Sequence, residues 1–180
     1  MQLIPLHTTH ALYAEAEQLL LSAFPPEERR PVEQQRKMTD LQPDFRLYAI
    51  TLNGKFAGLI TLWMLDGFRY VEHLATLPEL RGNGIGKRVL QQLMESDTLP
   101  IVLEVEPPTH EFAVRRIGFY QRCGFIPWEK QTYIQPPYSA ELPAIPLILM
   151  VHGDIDEEKD FCKVRHEIHS KVYGVSDVFV

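Results

Sequence analysis

The chain has 180 residues, 45% hydrophobic and 23% charged, with a formal net charge of −6; this length buries one full core, and the acidic balance argues against nucleic acid as the main partner. No window approaches ~20 uninterrupted apolar residues, so no membrane span is expected, and Met1-Gln2-Leu3-Ile4-Pro5-Leu6 lacks the charged and apolar regions of a secretion signal. Cys123 and Cys162 have no metal-ligand spacing, so no metal is expected, and two lone thiols fit a reducing, cytoplasmic setting.

Residues 2–6 read as a first strand. His10 to Phe24 reads as a helix, because Leu12, Ala16, Leu19, Leu20 and Ala23 share one face, and Pro25-Pro26 ends it. The charged connector Glu27-Glu28-Arg29-Arg30-Pro31 leads to a second helix, Val32 to Leu41. Phe45 to Leu52 and Phe56 to Leu65 form a hairpin across Asn53-Gly54, a two-residue turn signal. Asp66-Gly67 then turns into a strand, Phe68 to Thr76. A helix over 84–96 carries Ile85, Val89 and Leu93 on one stripe, with Leu90 and Met94 beside it. Pro100 to Glu106 is the next strand, and a helix stopping at Gly124 follows it. Late strands over 125–135 and 145–152 flank the proline-rich loop Gln135 to Pro143. The fold class expected is α/β (α+β): a mixed central sheet of about seven strands, antiparallel at first, with one parallel pair, flanked by helices.

Residues 153–180 form an extension to a domain over 1–152. Asp154, Asp156, Glu157, Glu158 and Asp160 suit a helix N-terminus. Phe161, Val164, Ile168 and Val172 mark a stripe that docks on the core or on a second copy in a homodimer. His166-Glu167-Ile168-His169 lacks the H-E-x-x-H spacing of a zinc helix and reads as an exposed face.

The densest signal is Arg81-Gly82-Asn83-Gly84-Ile85-Gly86-Lys87-Arg88, between the strand ending at Thr76 and the helix beginning near Gly84. Glycines permit positive φ and close approach of a ligand to the backbone, and the free amides of a helix N-terminus favour an anion. The physical expectation is a phosphate or pyrophosphate cradle. Two common nucleotide loops fail here. The dinucleotide fingerprint G-x-G-x-x-G places its third glycine on Lys87. The P-loop needs Gly where Arg81 stands, and a Ser or Thr for Mg²⁺ where Arg88 stands.

Arg81-Gly82-Asn83-Gly84-Ile85-Gly86 does resemble the acyl-CoA loop [Q/R]-x-x-G-x-[G/A] of the GNAT acetyltransferase superfamily. A second stretch, Arg116-Ile117-Gly118-Phe119-Tyr120-Gln121-Arg122-Cys123-Gly124-Phe125, resembles the family's later helix, with its Tyr and terminal Gly-Phe. The resemblance covers roughly Leu47 to Met150. It implies that acetyl-CoA binds at Arg81, Gly82, Asn83, Gly84, Ile85, Gly86 and Lys87, and that CoA leaves as product. It departs where the family often carries Asn and Ala, at Ala113 and Arg116. An Asn contact is therefore not expected, and Arg115-Arg116 either meet a CoA phosphate or are solvated. The resemblance further implies direct attack by an amine in a ternary complex, with backbone amides of Leu74 or Thr76 serving the oxyanion.

Within that chemistry Tyr120 is the candidate acid for the departing thiolate. The alternative is a core tyrosine. Glu72 is the candidate base, on a strand whose alternation groups Tyr70, Glu72, Leu74 and Thr76 on one side and Val71, His73 and Ala75 on the other. A carboxylate near pKa ~4.3 taking a proton from an ammonium near ~10.4 runs roughly 8 kcal/mol uphill. Burial that raises the acid narrows the gap. Glu104, Glu106, His73, a water relay and binding of neutral amine are the other routes. Glu27, Glu28, Arg29, Arg30 and Tyr138 border the acceptor pocket in this fold, with the arginines read as solvated. The function expected is N-acetylation of a primary amine, on a small molecule or else on a protein. A non-catalytic acyl-CoA sensor and a purely structural module are the rivals.

Overall fold

A computed structural model describes residues 1–175. An eight-stranded sheet runs in the order β1-β2-β3-β4-β5-β8-β6, with β7 paired to β8. The strands are β1 (Gln2–Pro5), β2 (Phe45–Leu52), β3 (Lys55–Leu65), β4 (Phe68–Thr76), β5 (Ile101–Val105), β6 (Ile126–Pro127), β7 (Tyr133–Gln135) and β8 (Ile145–His152). The helices are α1 (Tyr13–Ala23), α2 (Val32–Leu41), α3 (Ile85–Ser96), α4 (Glu111–Arg122) and α5 (Glu157–Glu167), which runs on as a π turn over Ile168–Val172. None of the helices among the described residues is long and apolar enough to cross a membrane.

Asn53 and Gly54 both take positive φ, 51° and 77°, the geometry of a type I′ turn that joins β2 to β3 without splaying them. All ladders are antiparallel except β4 with β5. One layer of core lies between the sheet and α1 and α5, and contains Leu19, Leu20, Phe45, Trp63, Tyr70, Phe161, Val164, Ile168 and Val172. The other lies under α3 and α4, and contains Ile60, Val71, Ile85, Val89, Leu90, Leu103, Phe125 and Met150. Arg69 anchors α3 to the sheet: its guanidinium donates to the carbonyls of Leu93, Asp97 and Leu99 at 2.7, 3.1 and 2.8 Å, which satisfies orphan carbonyls at the helix end.

The element order matches the sequence reading, with four differences. The first helix starts at Tyr13 rather than His10, because residues 7–13 form tight turns, with the Tyr13 amide bonded to the His10 carbonyl. The strand expected over 125–135 is two short strands, giving eight rather than about seven. Between them the chain arcs outward, and Glu157 accepts from the amides of Lys130 and Gln131. The expected exposed face at 166–169 is partly core: Ile168 and His169 are buried.

The fourth difference lies in β4. Thr61 pairs with His73 but Leu62 pairs with Val71, so Glu72 is the extra residue of a β-bulge. A bulge adds one residue to one strand and resets alternation. Glu72 and His73 therefore both face the α1 side, where Glu72 meets Trp63 and His73 meets the Phe24 ring at 4.5 Å. Ala75 follows them into that layer and Leu74 packs on the α3 side. The strict grouping of Glu72 with Leu74, and of His73 with Val71, is corrected accordingly.

Candidate active site

The parallel ladder between β4 and β5 ends at Val71–Leu103, while β4 continues to Thr76 and β5 to Val105. The strands part just where the bulge begins. The wedge between them opens into a cavity of about 520 Å³ lined by Glu72 to Thr76 of β4, Leu103 to Glu106 and, from other elements, Glu28, Tyr120, Gln135 and Tyr138. A second groove of about 540 Å³ runs over Arg81, Gly82, Gly84, Ile85, Gly86 and Lys87. Leu74, Thr76, Arg81, Arg116, Phe119 and Tyr120 line both, so the two are continuous.

The groove has the features of an anion cradle. Gly82 and Gly84 sit at φ 79° and 71°, and the space where their Cβ atoms would stand is open to 4 Å. The first intrahelical bond of α3 runs from the Arg88 amide to the Gly84 carbonyl at 3.1 Å. The amides of Ile85, Gly86 and Lys87 thus have no helical partner. Arg81, Lys87, Arg116 and Arg122 supply positive charge along the groove. Arg122 escaped the sequence reading. Asn83 turns inward instead: its side-chain amide donates to the Leu80 carbonyl at 3.1 Å and braces the loop. Arg115 pairs with Glu111 and lines neither space, whereas Arg116 lies over both and meets Glu106 at 3.1 Å. An elongated ligand with several phosphates fits these residues.

The edge of β4 beyond the bulge offers donors to the wedge. The His73 amide points to Thr61 on β3 at 2.9 Å and the Leu77 amide to Ala57 at 3.0 Å. By alternation the amides of Leu74 and Thr76 face the opposite way, into the cleft.

Glu72 has a different character from that of a free base. Its side chain, 1% exposed, forms an ion pair with Arg30, itself 1% exposed. Trp63 Nε1 and the Tyr138 hydroxyl donate to it at 3.0 and 2.7 Å. Burial alone would raise its pKa, but the charge of Arg30 and these donors outweigh burial and lower it. A carboxylate held ionised by a buried guanidinium is ill suited to accept a proton. Arg30, read as solvated from sequence, is buried among the rings of Phe45, Trp63 and Tyr138, with ring centroids at 6.0, 5.3 and 5.1 Å, and donates to the Val172 carbonyl at 2.8 Å. His73 is equally occupied: Nδ1 meets Thr61 Oγ1 at 3.1 Å and Nε2 the Glu28 carbonyl at 2.9 Å. Burial lowers its pKa and keeps it neutral.

Glu104 is the contrasting carboxylate. It reaches the cavity from β5, and burial, against hydrogen bonds from Tyr133, Tyr173 and Tyr70, raises its pKa to about 7. The Tyr133 hydroxyl donates to one oxygen, and the Tyr173 hydroxyl to the other at 2.8 Å. Glu28, at the cavity's far wall, is also raised, by burial and by the charge of Glu106.

Tyr120 sits on α4 against Phe119 and Phe125, with ring centroids at 5.1 and 5.7 Å. It lines both spaces, and no described residue hydrogen-bonds its hydroxyl. Burial pushes its pKa up to about 12, so it holds its proton throughout the neutral range. Tyr133 and Tyr173 were missed in the sequence; the one local hint was a single Glu in the apolar run Ile101-Val102-Leu103-Glu104-Val105.

Residues 10–125 match the model of the acetyltransferase (GNAT) family. A protein of Bacteroides thetaiotaomicron assigned to that family is 46% identical, with a TM-score of 0.93 over 98% of this chain and 100% of that one. Two more distant structures share the fold. An aminoglycoside 6'-N-acetyltransferase in complex with coenzyme A has a TM-score of 0.61 at 16% identity, over 87% of this chain and 98% of its own. The Escherichia coli ribosomal-protein-S18-alanine N-acetyltransferase has 0.57 at 19%, over 87% and 96%. No curated protein matches the sequence. With a family model spanning most of its length and a near-full-length relative at that identity, the chain belongs to the GNAT acetyltransferase family.

Proposed function

We propose that the chain transfers an acetyl group from acetyl-CoA to a primary amine on a small, cationic molecule. The observation that carries this reading is Glu104: a carboxyl with a pKa raised to about 7, in a cavity continuous with the phosphate cradle and shared with Tyr120. A CoA complex of an aminoglycoside acetyltransferase with the same fold supports the donor. In the bound state acetyl-CoA supplies the thioester carbonyl that an amine attacks.

The chain's own residues then have separable tasks. Arg81, Lys87, Arg116, Arg122 and the first amides of α3 hold phosphates. The amides of Leu74 and Thr76 donate to the carbonyl oxygen as negative charge develops there. Glu104 takes the proton of the ammonium. At about 7 it faces a gap of roughly 5 kcal/mol to an amine near ~10.4, against roughly 8 for an ordinary carboxylate. The base assigned from sequence to Glu72 thus passes to Glu104, and Glu72 becomes the fixed charge that pins the bulge. Tyr120 holds a proton beside the thioester's sulfur. Its raised pKa makes complete transfer to a thiolate costly, so it contributes chiefly as a hydrogen-bond donor.

Support for a small cationic acceptor comes from the cavity walls. Glu28, Glu72, Glu104 and Glu106 outnumber Arg81 and Arg116 among its lining side chains, and residues of the connector and of the proline-rich loop line it as well. The test is calorimetric titration with acetyl-CoA, followed by thiol release with a library of small amines and of peptides. Binding plus turnover of small amines with an acidic limb near pH 7 is the expected result. Turnover of peptides alone moves the acceptor to proteins. Binding without turnover of either makes the chain an acyl-CoA sensor.

A further inference from the structure

On the acceptor side of the cavity, Glu104 and the groups packed around it come from parts far apart in the chain. Glu104 stands on β5, Tyr133 on β7, Tyr138 in the loop before β8, and Tyr173 at the end of the C-terminal π turn. The last three lie beyond the residues that match the family model. The C-terminal segment is tied to this region at three points. The Val172 carbonyl accepts from Arg30 at 2.8 Å. The Tyr173 hydroxyl donates to Glu104 Oε2 at 2.8 Å. The Tyr173 ring packs on Tyr138, with centroids 4.8 Å apart. Ile168 and Val172 are buried just before it, so the hydroxyl is carried on a packed element and not on a loose tail.

We propose that Tyr173 is a positioning residue of the acceptor site: its hydroxyl, opposite that of Tyr133, holds the Glu104 carboxylate in the orientation from which it takes the acceptor's proton. This rests on the reading of Glu104 as base. Two hydroxyls on two different oxygens leave the carboxylate little freedom to rotate. Both also donate to the ionised form, and hydrogen bonds to the charged form favour it. They therefore oppose the burial that raises Glu104. The groups that face Glu104 are Tyr70 and Glu72 from β4, Tyr133 from β7, Tyr138 from the proline-rich loop and Tyr173 from the C-terminal segment. His169 touches Tyr133 and Tyr173 through ring contacts at 5.5 and 6.5 Å. Among these the hydroxyls of Tyr70, Tyr133 and Tyr173 are the donors to Glu104, the Tyr138 hydroxyl donates to Glu72 instead, and Glu72 is the like charge. Removal of one donor moves the proton affinity of Glu104 in one direction only, upward.

The test is Tyr173→Phe, with Tyr133→Phe as the companion. The full chain is labelled with carbon-13 at glutamate side chains, and Glu104 is identified as the resonance lost in Glu104→Gln. Its titration is read without acetyl-CoA. Loss of a donor should move the midpoint of Glu104 upward by about one pH unit in Tyr173→Phe. In turnover, the fall in kcat/KM well below the midpoint should then be about tenfold larger than the fall above pH 9, where only the loss of orientation remains, with KM for acetyl-CoA unchanged. A purely structural tyrosine would lower kcat/KM equally at all pH values or only the melting temperature, and that outcome overturns the proposal. An unmoved Glu104 midpoint in Tyr173→Phe overturns it as well, even with a fully active enzyme. A wild-type protein with no amine turnover defeats the assignment of Glu104 as base instead, and the resonance still reports separately whether Tyr173 governs it.

Discussion

Replacement of Glu104 by Gln should produce two effects of opposite sign. Activity should fall by about 10²–10⁴-fold, the usual contribution of a positioned base. Stability should rise at alkaline pH. The folded chain holds this carboxyl at about 7, against an ordinary value of 4.5. The folded state therefore binds the proton more tightly than the unfolded one. Its contribution is fully present below about pH 4.5, declines as pH rises, and is lost above pH 7. A shift of about 2.5 units corresponds to about 3 kcal/mol. Glutamine carries no charge and keeps an amide oxygen to accept from Tyr133 or Tyr173. At pH 8.5 the variant should thus exceed wild type by up to about 3 kcal/mol, and the two should converge near pH 4.5. Urea denaturation at a series of pH values measures this directly, and a melting temperature higher by several degrees at pH 8.5 is the simpler readout. A stability difference independent of pH, or a variant weaker than wild type at pH 8.5, would refute the reasoning and with it the placement of the base.

Tyr120→Phe should lower kcat by about 10²-fold while calorimetry shows unchanged CoA affinity and melting, since no described residue relies on its hydroxyl. Gly84→Asp should abolish acetyl-CoA binding by placing negative charge in the phosphate groove. The site is open around the new Cβ at φ 71°, so strain is limited to about 1–2 kcal/mol; a folded variant that still binds CoA would remove the cradle. Glu72→Gln should destabilise by about 3–5 kcal/mol, because it leaves the buried Arg30 uncompensated. The fraction that folds in mild conditions should keep an acidic limb, moved below pH 7 because the Glu72 charge that helps raise Glu104 is gone; loss of that limb would return the base to Glu72.

What the sequence made legible was local. The Asn53-Gly54 turn, the glycines at 82 and 84 and the Tyr120 to Gly124 helix end each declare themselves through residues within one turn of chain. The β4 bulge did not, because one extra residue on a strand has no dedicated residue type. Its trace was there to read: Phe68, Tyr70, Val71, Leu74 and Ala75 break a strict period of two. Arg30 was misread for another reason. A charged residue in a charged connector looks solvated until its partner, 42 positions away, is known. Glu104 depends on hydroxyls 29 and 69 positions distant, and spacing carries no signal at that range.

The two central carboxylates explain each other. The bulge turns Glu72 toward Arg30, and the parting of the strands at the same point leaves Glu104 at the mouth of the wedge. Burial of the Arg30–Glu72 pair costs desolvation, which the Trp63 and Tyr138 donors and the Val172 carbonyl offset in part. The pair fixes a permanent negative charge beside Glu104, and that charge is one of the causes that raise Glu104. The same bulge thus lowers one carboxylate and helps raise the other. Pairs of acids driven apart in this way mark a division between structural charge and proton acceptor.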